Sequence, residues 1–573
     1  MRNLTAGLGV LALFLGWNAP NHYPPWTAFH LEFFTALGVC LLGAAAFLGP
    51  PISGPQRPHF PAPPGAMVVP LPPAALGWLL AGCWPLMQFA SGQLHFRGDA
   101  LIGLIYGAGT ALSIYIGHLC AVQHGRDRTL RLLWLTLVFS GLAACGLAFV
   151  QWLRLDTPGW WAMELIDHRP YANLAQPNHF GLLMVMSLVA VTALFEDGTV
   201  QHRWVHALAG TFFGWGVLIS GSRGASLALF VLAVTWLLAR RSTPTRLRVA
   251  DVVSAAIIGI VCSRSLSLMQ EALLLKQPTL SSLVDVGPRQ LIWQHFWTAI
   301  VERPWFGYGF NQGVMAMAEV AGKVEPSRNV VFAHNVVLDL MAWLGIPMAV
   351  LMMVALLRWM LGWLAHEGDA GLLVQRRLVF AIWLALLVQS LLEFPYAHSY
   401  FLLPAALLAG ATTPLVGSAV SKLGSCRFVP SAMASALACG ATVLFGLMAW
   451  DYFQIEDEFR SNRFARANVG ESSYLQAPTQ AFVLDQLAAL SSSASLVPAS
   501  GMSAAQLEQL RLLARRFHIL STRLDYAKAL ALNSQEAAAE TELQVIRSVC
   551  PPAQFEQIIQ HWRLWRAGIS KQG

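Results

Sequence analysis

Charge is what this chain has least of. Only 12% of its 573 residues are Asp, Glu, Lys or Arg, while 56% are hydrophobic; a soluble globular protein carries roughly 25% charged and ~45–50% apolar residues. That shortage excludes a water-soluble protein. Cysteine is also scarce. The eight cysteines are scattered, and Cys40, Cys83, Cys120, Cys145, Cys262 and Cys439 fall inside apolar segments, so neither a disulfide framework nor a metal-ligand spacing emerges. No HExxH, DxD or carboxylate triplet is present, so the chemistry requires no metal or cofactor. No convincing internal repeat appears, which counts against a transporter built from repeated halves.

What the chain has in abundance is apolar segments long enough to span a hydrocarbon core of ~30 Å. They lie near 4–17, 27–49, 66–90, 99–122, 129–153, 179–195, 205–220, 224–239, 249–266, 335–357, 377–393, 400–418 and 430–450. The expected fold is therefore all-α and polytopic, with about 13 transmembrane helices. The first segment reads as a retained span, because a lone Arg2 and the lack of a small-residue cleavage site argue against a signal peptide.

Basic residues concentrate in alternate loops: HGRDRTLR (124–131), RRSTPTRLR (240–248), VQRR (374–377) and SKLGSCR (421–427). Cytoplasmic loops carry such an excess, which places the N-terminus inside and everything after Trp450 outside. The net charge of +7 is this topological signal, not a nucleic-acid patch.

Three regions break the hydrophobic rhythm. Residues 50–65, PPISGPQRPHFPAPPG, form a Pro-rich cytoplasmic linker within an N-terminal transmembrane bundle, 1–266. Residues 267–334 form a large outer loop in which Leu291, Ile292, Phe296, Ala299 and Ile300 recur at helical spacing between Pro288 and Pro304, predicting an amphipathic helix over 289–303. C-terminal transmembrane helices follow over 335–450. Residues 451–573 turn charged and helical and are expected to form an outer α-helical domain suited to docking an acceptor.

An ionisable or strongly polar group at membrane depth is expensive and points to function. On the outer side such groups make a short set: Asn178 and His179 in AQPNHFG, Ser220, Ser222 and Arg223 in SGSRGA, Arg289, His334 and Asn335, and Glu393 in LLEFPYAHSY. Each has an ordinary alternative. Arg223 can snorkel to the interface, Asn178 can cap the next helix, and His334 and His398 can be interfacial histidines. Two arginines, a His–Asn pair and a carboxylate on one side of the membrane outweigh those alternatives together. Arginine forks suit phosphate oxygens, and a near-neutral histidine can take a proton from an attacking hydroxyl. The set describes transfer from a polyprenyl diphosphate donor to an alcohol.

HNVVLDLMAWLG (334–345), SGSRGA (220–225) and RQLIWQHFWTAIVERPWFGYGFNQG (289–313) resemble motifs of the O-antigen ligase and Wzy polymerase superfamily. AQPNHFG (175–181), LLEFPYAHSYFLLP (391–404) and DYFQIEDEFRSNRFARA (451–467) are similar to its PglL-type protein O-oligosaccharyltransferases. The resemblance implies a bacterial inner-membrane enzyme with its active site facing the periplasm. It would transfer a glycan en bloc, with inversion, from an undecaprenyl diphosphate carrier to Ser or Thr of periplasmic proteins such as pilins. It implies His334 as the essential histidine, Arg223 and Arg289 as the diphosphate ligands, and Gln176, Asn178 and Glu393 in support; from the residues themselves His334 is expected as the general base with Asn335 beside it, and His179 and Ser222 join the supporting set. An O-antigen ligase acting on lipid A-core, an O-antigen polymerase and a lipid-linked glycan transporter are the alternatives.

Overall fold

In a computed structural model of the chain, the structure describes residues 2–47, 71–166, 168–242, 244–273, 288–364, 370–413, 431–466, 469, 479–493, 496–517 and 519–569. Among these every regular element is a helix. In chain order they are α1 (Arg2–Asn18), α2 (Phe29–Phe47), α3 (Pro73–Ala90), α4 (Arg97–His124), α5 (Arg126–Trp152), α6 (Pro177–Glu196), α7 (Arg203–Ser220), α8 (Arg223–Ala239), α9 (Val249–Ala272), α10 (Pro288–Glu302), α11 (Gly313–Glu319), α12 (Val336–Leu344), α13 (Ile346–Leu361), α14 (Ala370–Ser390), α15 (Ser399–Ala411) and α16 (Ser431–Arg466). Then come α17 (Asp485–Ser492), α18 (Ala504–Arg516), α19 (Leu520–Leu532), α20 (Glu536–Ser548) and α21 (Pro552–Ile569).

The chain is a multi-pass membrane protein. Among the described residues eight helices are long and apolar enough to cross a bilayer: α2, α4, α5, α6, α8, α9, α13 and α14. The other expected spans also fall on helices, α1, α3, α7, α15 and α16, outside that set of eight. The expected linker at 50–65 lies outside the described residues, as does 274–287 of the expected loop at 267–334. The amphipathic helix expected over 289–303 is α10, with Ile292, Phe296, Ala299 and Ile300 buried.

The chain forms two compact units. The first comprises 1–83, 104–284 and 355–446. Its centre is α6, where Phe180 and Leu182 to Met186 are all fully buried. A helix that is apolar all round belongs inside a bundle, and α5, α7, α8 and α14 pack against this one. Helices α4 and α15 cross at backbone contact. A Cβ on Gly410 would stand 1.9 Å from the Ile114 carbonyl oxygen, and one on Gly117 would stand 2.1 Å from that of Leu407. Small residues at a membrane helix crossing allow this approach, where packing replaces the hydrophobic drive available in water.

The second unit comprises 84–103, 285–354 and 447–573. Here α10 packs on α11 and α12. The C-terminal part of α16 is laced to the following segment by a buried carboxylate: Asp451 accepts hydrogen bonds from the N–H groups of Phe482 (3.1 Å), Val483 (2.5 Å) and Leu484 (3.1 Å). Helices α18 to α20 form successive packed pairs. Buried Arg523 joins all three, donating to Glu542 on α20 (2.8 Å) and to the Ala514 carbonyl on α18 (2.7 Å).

The α4–α15 crossing generates a stability prediction. Gly410→Val should separate the two backbones and lower stability by about 1–3 kcal/mol, the usual cost of overpacking. Thermal unfolding of the purified protein in detergent reads this directly, and an unchanged midpoint would contradict the crossing.

Candidate active site

The first unit gathers Gln176 and Asn178 around one carboxylate, Glu393. Helix α6 starts at Gln176, an extended N-cap residue followed by Pro177 at the first helical position, where proline's missing N–H is no loss. The Gln176 side-chain oxygen accepts from the His179 N–H (2.8 Å), and its amide donates to Glu393 (3.2 Å). Asn178 is therefore not the cap. Its amide donates to the other oxygen of Glu393 (2.8 Å). Glu393 is 2% exposed, so both neutral donors serve to hold a carboxylate removed from water.

Arg169 completes this arrangement. Its Nη2 donates to Asn178 Oδ1 (3.0 Å), and its Nε donates to the Ser220 carbonyl (2.9 Å). Gln389 adds a bond to the Asn178 carbonyl (3.2 Å). The reversal at 220–223 is fixed locally. Gly221, at φ +58°, ends α7 in the left-handed region, and buried Ser222 caps α8 by accepting from the Ala225 N–H (3.2 Å). Arg223 is then the first residue of α8 and is exposed, between buried Ser222 and buried Gly224.

Beside this lies a second buried carboxylate, Glu32. It contacts the Tyr106 hydroxyl closely, accepts from Ser399 Oγ (3.3 Å) and faces His398 Nδ1 (3.3 Å). The His398 ring meets that of His179 edge-on at 4.7 Å. His179 Nδ1 in turn pairs with the Tyr400 hydroxyl (3.1 Å). The turn at 393–399 is thus fastened by Glu393 at one end and Glu32 at the other.

The second unit holds His334, Asn335 and Arg289. Asn335 caps α12, its Oδ1 accepting from the N–H groups of Val337 (3.0 Å) and Leu338 (3.3 Å). His334 has φ +54°, a left-handed conformation that costs a residue with a Cβ roughly 1–2 kcal/mol. The preceding residue is clamped on both sides. The Ala333 N–H donates to Asp339 Oδ1 (2.9 Å), and its carbonyl accepts from Trp293 Nε1 on α10 (2.9 Å). Asp339 is fully buried and serves the backbone before His334. Arg289 lies one turn before Trp293 on the same face of α10 and is half-buried, as is His334.

The far end of α12 is equally constrained. Gly345 has φ +82°, and a Cβ there would stand 2.2 Å from the Trp305 carbonyl oxygen. Tyr308 and Gly309 donate their N–H groups to the carbonyls of Ala342 (2.7 Å) and Trp343 (3.1 Å), closing the helix C-terminus. Burial pushes the Tyr308 hydroxyl up to about 12. It donates to the Ala299 carbonyl (3.1 Å) and acts as a fixed neutral peg. Among the described residues no three His, Cys, Asp or Glu side chains gather as a metal would need.

Arg169, Glu32, Tyr106, Gln389 and Trp293 were not in the set drawn from the sequence. Glu32 lies inside the apolar segment 27–49, where the cost of a carboxylate is itself the signal that finds it. Arg169 stands in the loop between α5 and α6, eight residues before Pro177, and nothing local marks it.

Comparison with known proteins relates this helical membrane protein to glycosyltransferases. The O-antigen ligase family profile matches residues 208–353, which include Arg223, Arg289 and His334, and the profile described as the C-terminal part of a membrane-bound virulence-factor polymerase matches 378–564. A general O-oligosaccharyltransferase of Acinetobacter baylyi is 29% identical over 430 residues, covering 72% of this chain and 71% of the relative. A ComP-specific O-oligosaccharyltransferase of the same organism is 25% identical over 246 residues, covering 42% of this chain and 43% of the relative. The chain is thus similar to the O-antigen ligase family over 208–353 and to O-oligosaccharyltransferases over most of its length.

The Glu393 network makes a direct prediction. Glu393→Gln keeps the shape but sets a new donor against the amides of Gln176 and Asn178. It should cost about 1–3 kcal/mol, the penalty for an unsatisfied buried group, read as a lower unfolding midpoint in detergent. A midpoint equal to wild type would refute the network.

Proposed function

We propose that this enzyme transfers an oligosaccharide en bloc from an undecaprenyl diphosphate carrier to Ser or Thr hydroxyls of periplasmic proteins such as pilins. It works from the bacterial inner membrane with its active site facing the periplasm. The observation that carries the reading is the held geometry of His334: a residue in an unfavourable backbone conformation, half-exposed, with the preceding peptide clamped by Asp339 and Trp293. Strain that its surroundings over-determine is characteristic of functional positions.

In the mechanism His334 accepts the proton of the acceptor hydroxyl as that oxygen attacks the anomeric carbon. The bond to the diphosphate oxygen breaks in line, so the configuration inverts. Arg223 and Arg289 bind the donor's diphosphate and stabilise the charge that develops as it leaves. Asn335 fixes the helix that presents His334. Gln176, Asn178, His179, Ser222 and Glu393 keep the ends of α6 and α8 in place and so set the direction of Arg223. The two Acinetobacter relatives, both O-oligosaccharyltransferases by name, support a protein acceptor.

Reconstitution with undecaprenyl diphosphate oligosaccharide and either a pilin or lipid A-core tests the acceptor. A gain of glycan mass on the pilin alone is expected, whereas transfer to lipid A-core alone would make the enzyme an O-antigen ligase. A general base is worth ~10²–10⁴ in rate. His334→Ala should accordingly lose at least that factor while inserting normally in the membrane, and wild-type glycosylation by the variant would sink the assignment. Arg289→Lys retains charge without the fork and should be clearly impaired; equal turnover would remove the bidentate role.

A further inference from the structure

The second unit contains a buried ion pair that the transfer mechanism does not use. Asp99, in the first turn of α4, is 1% exposed, and Arg516, the last residue of α18, is 9% exposed. Arg516 Nε lies 2.9 and 2.8 Å from the two carboxylate oxygens, and its Nη2 lies 2.7 Å from Oδ1. This fork-on-carboxylate contact is the strongest form of side-chain pairing. The same end of α4 receives a second carboxylate from the C-terminal region: Asp485, on α17, accepts from the N–H groups of Arg97 (3.1 Å) and Gly98 (2.7 Å).

Asp99 has one more partner, and it leads towards His334. Gln312 donates to Asp99 Oδ2 (3.0 Å), and its own N–H donates to the Gly309 carbonyl (3.2 Å). Residues 308–309 close the C-terminus of α12 through Ala342 and Trp343, and Gln88 spans the same place, donating to the Trp343 carbonyl (2.9 Å) and accepting from the Phe310 N–H (3.0 Å). Helix α12 is only nine residues long, and His334 and Asn335 stand at its start. A displacement of its C-terminal end is therefore felt at its first turn.

We propose that Arg516 is a positioning residue: through Asp99 and Gln312 it holds the 308–312 turn against the end of α12 and thereby fixes where His334 points. The outer helical region then serves the transfer step itself, in addition to any contact it makes with an acceptor. The idea rests on His334 being the base. Its physical basis is that reaction rates fall steeply when a reacting group is misplaced by an ångström or so.

The test uses full-length enzyme reconstituted with undecaprenyl diphosphate oligosaccharide and a pilin. Arg516→Lys keeps the buried charge but cannot form the fork, and Asp99→Asn/Arg516→Gln removes both charges so that neither is left unpaired. Both variants should show kcat lower by about tenfold with KM for donor and acceptor within about twofold. Backbone amides over 305–345 should exchange hydrogen faster in both, with residues 519–569 protected as in wild type. Wild-type kcat in both variants would overturn the proposal. So would a loss confined to the acceptor KM, because that would make the pair part of a docking surface. The exchange readout does not depend on catalysis. If His334→Ala stays active the base assignment falls, while unchanged exchange over 305–345 would refute the coupling on its own.

Discussion

Buried carboxylates organise this protein. Glu32, Asp99, Asp339, Glu393 and Asp451 are each at most 5% exposed, in a chain whose charged residues are few. A carboxylate removed from water is tolerated only when donors surround it, so each of these five dictates which segments must meet. Glu393 demands the start of α6, Glu32 demands α4 and the turn before α15, and Asp339 demands the peptide before His334. Asp451 takes three consecutive backbone N–H groups from a segment about thirty residues further along. The apolar bulk of the helices supplies favourable packing almost anywhere along their length. The carboxylates select the arrangement among many that would pack.

The same constraint explains why the outer polar residues act in groups. Asn178 and Gln176 have amides that could serve a substrate, yet the structure commits them to Glu393. These bonds tie the start of α6 to the turn that carries Glu393. Arg223 differs from all of them in being exposed while its neighbours Ser222 and Gly224 are buried. A guanidinium presented at a helix N-terminus, on a reversal that cannot easily move, has the pre-organisation that electrostatic stabilisation of a leaving diphosphate requires.

Much of this was legible in the sequence because it is local. The reversal at SGSR, the helix after Pro288 and the glycine closing α12 each leave their mark within a few residues. The cap of α6 shows the limit. Both Gln176 and Asn178 are polar and precede an apolar run, and only the preference of Pro177 for the first helical position separates them. What the sequence concealed is long-range pairing. Asp99 and Arg516 are 417 residues apart, and Glu32 and His398 are 366 apart. No spacing rule connects such residues. Their trace was the cost of their own burial, an acid inside an expected span, which names the residue but not its partner. The number of spans was the hardest feature to read, because a helix in the interior of such a bundle and a helix across the bilayer have the same composition.

The conformation of His334 shows how these layers combine. The chain must turn sharply to enter α12, and a glycine would take the left-handed conformation without strain. A histidine there carries a conformational cost, which is offset by bonds that would serve any residue: Asp339 and Trp293 grip the peptide of Ala333, and Asn335 caps the helix. None of these needs the imidazole. These contacts specify the turn without drawing on the ring it displays. What builds the turn is thus separate from the side chain that stands on it, and a change at Asp339, Trp293 or Asn335 would move that side chain without touching it.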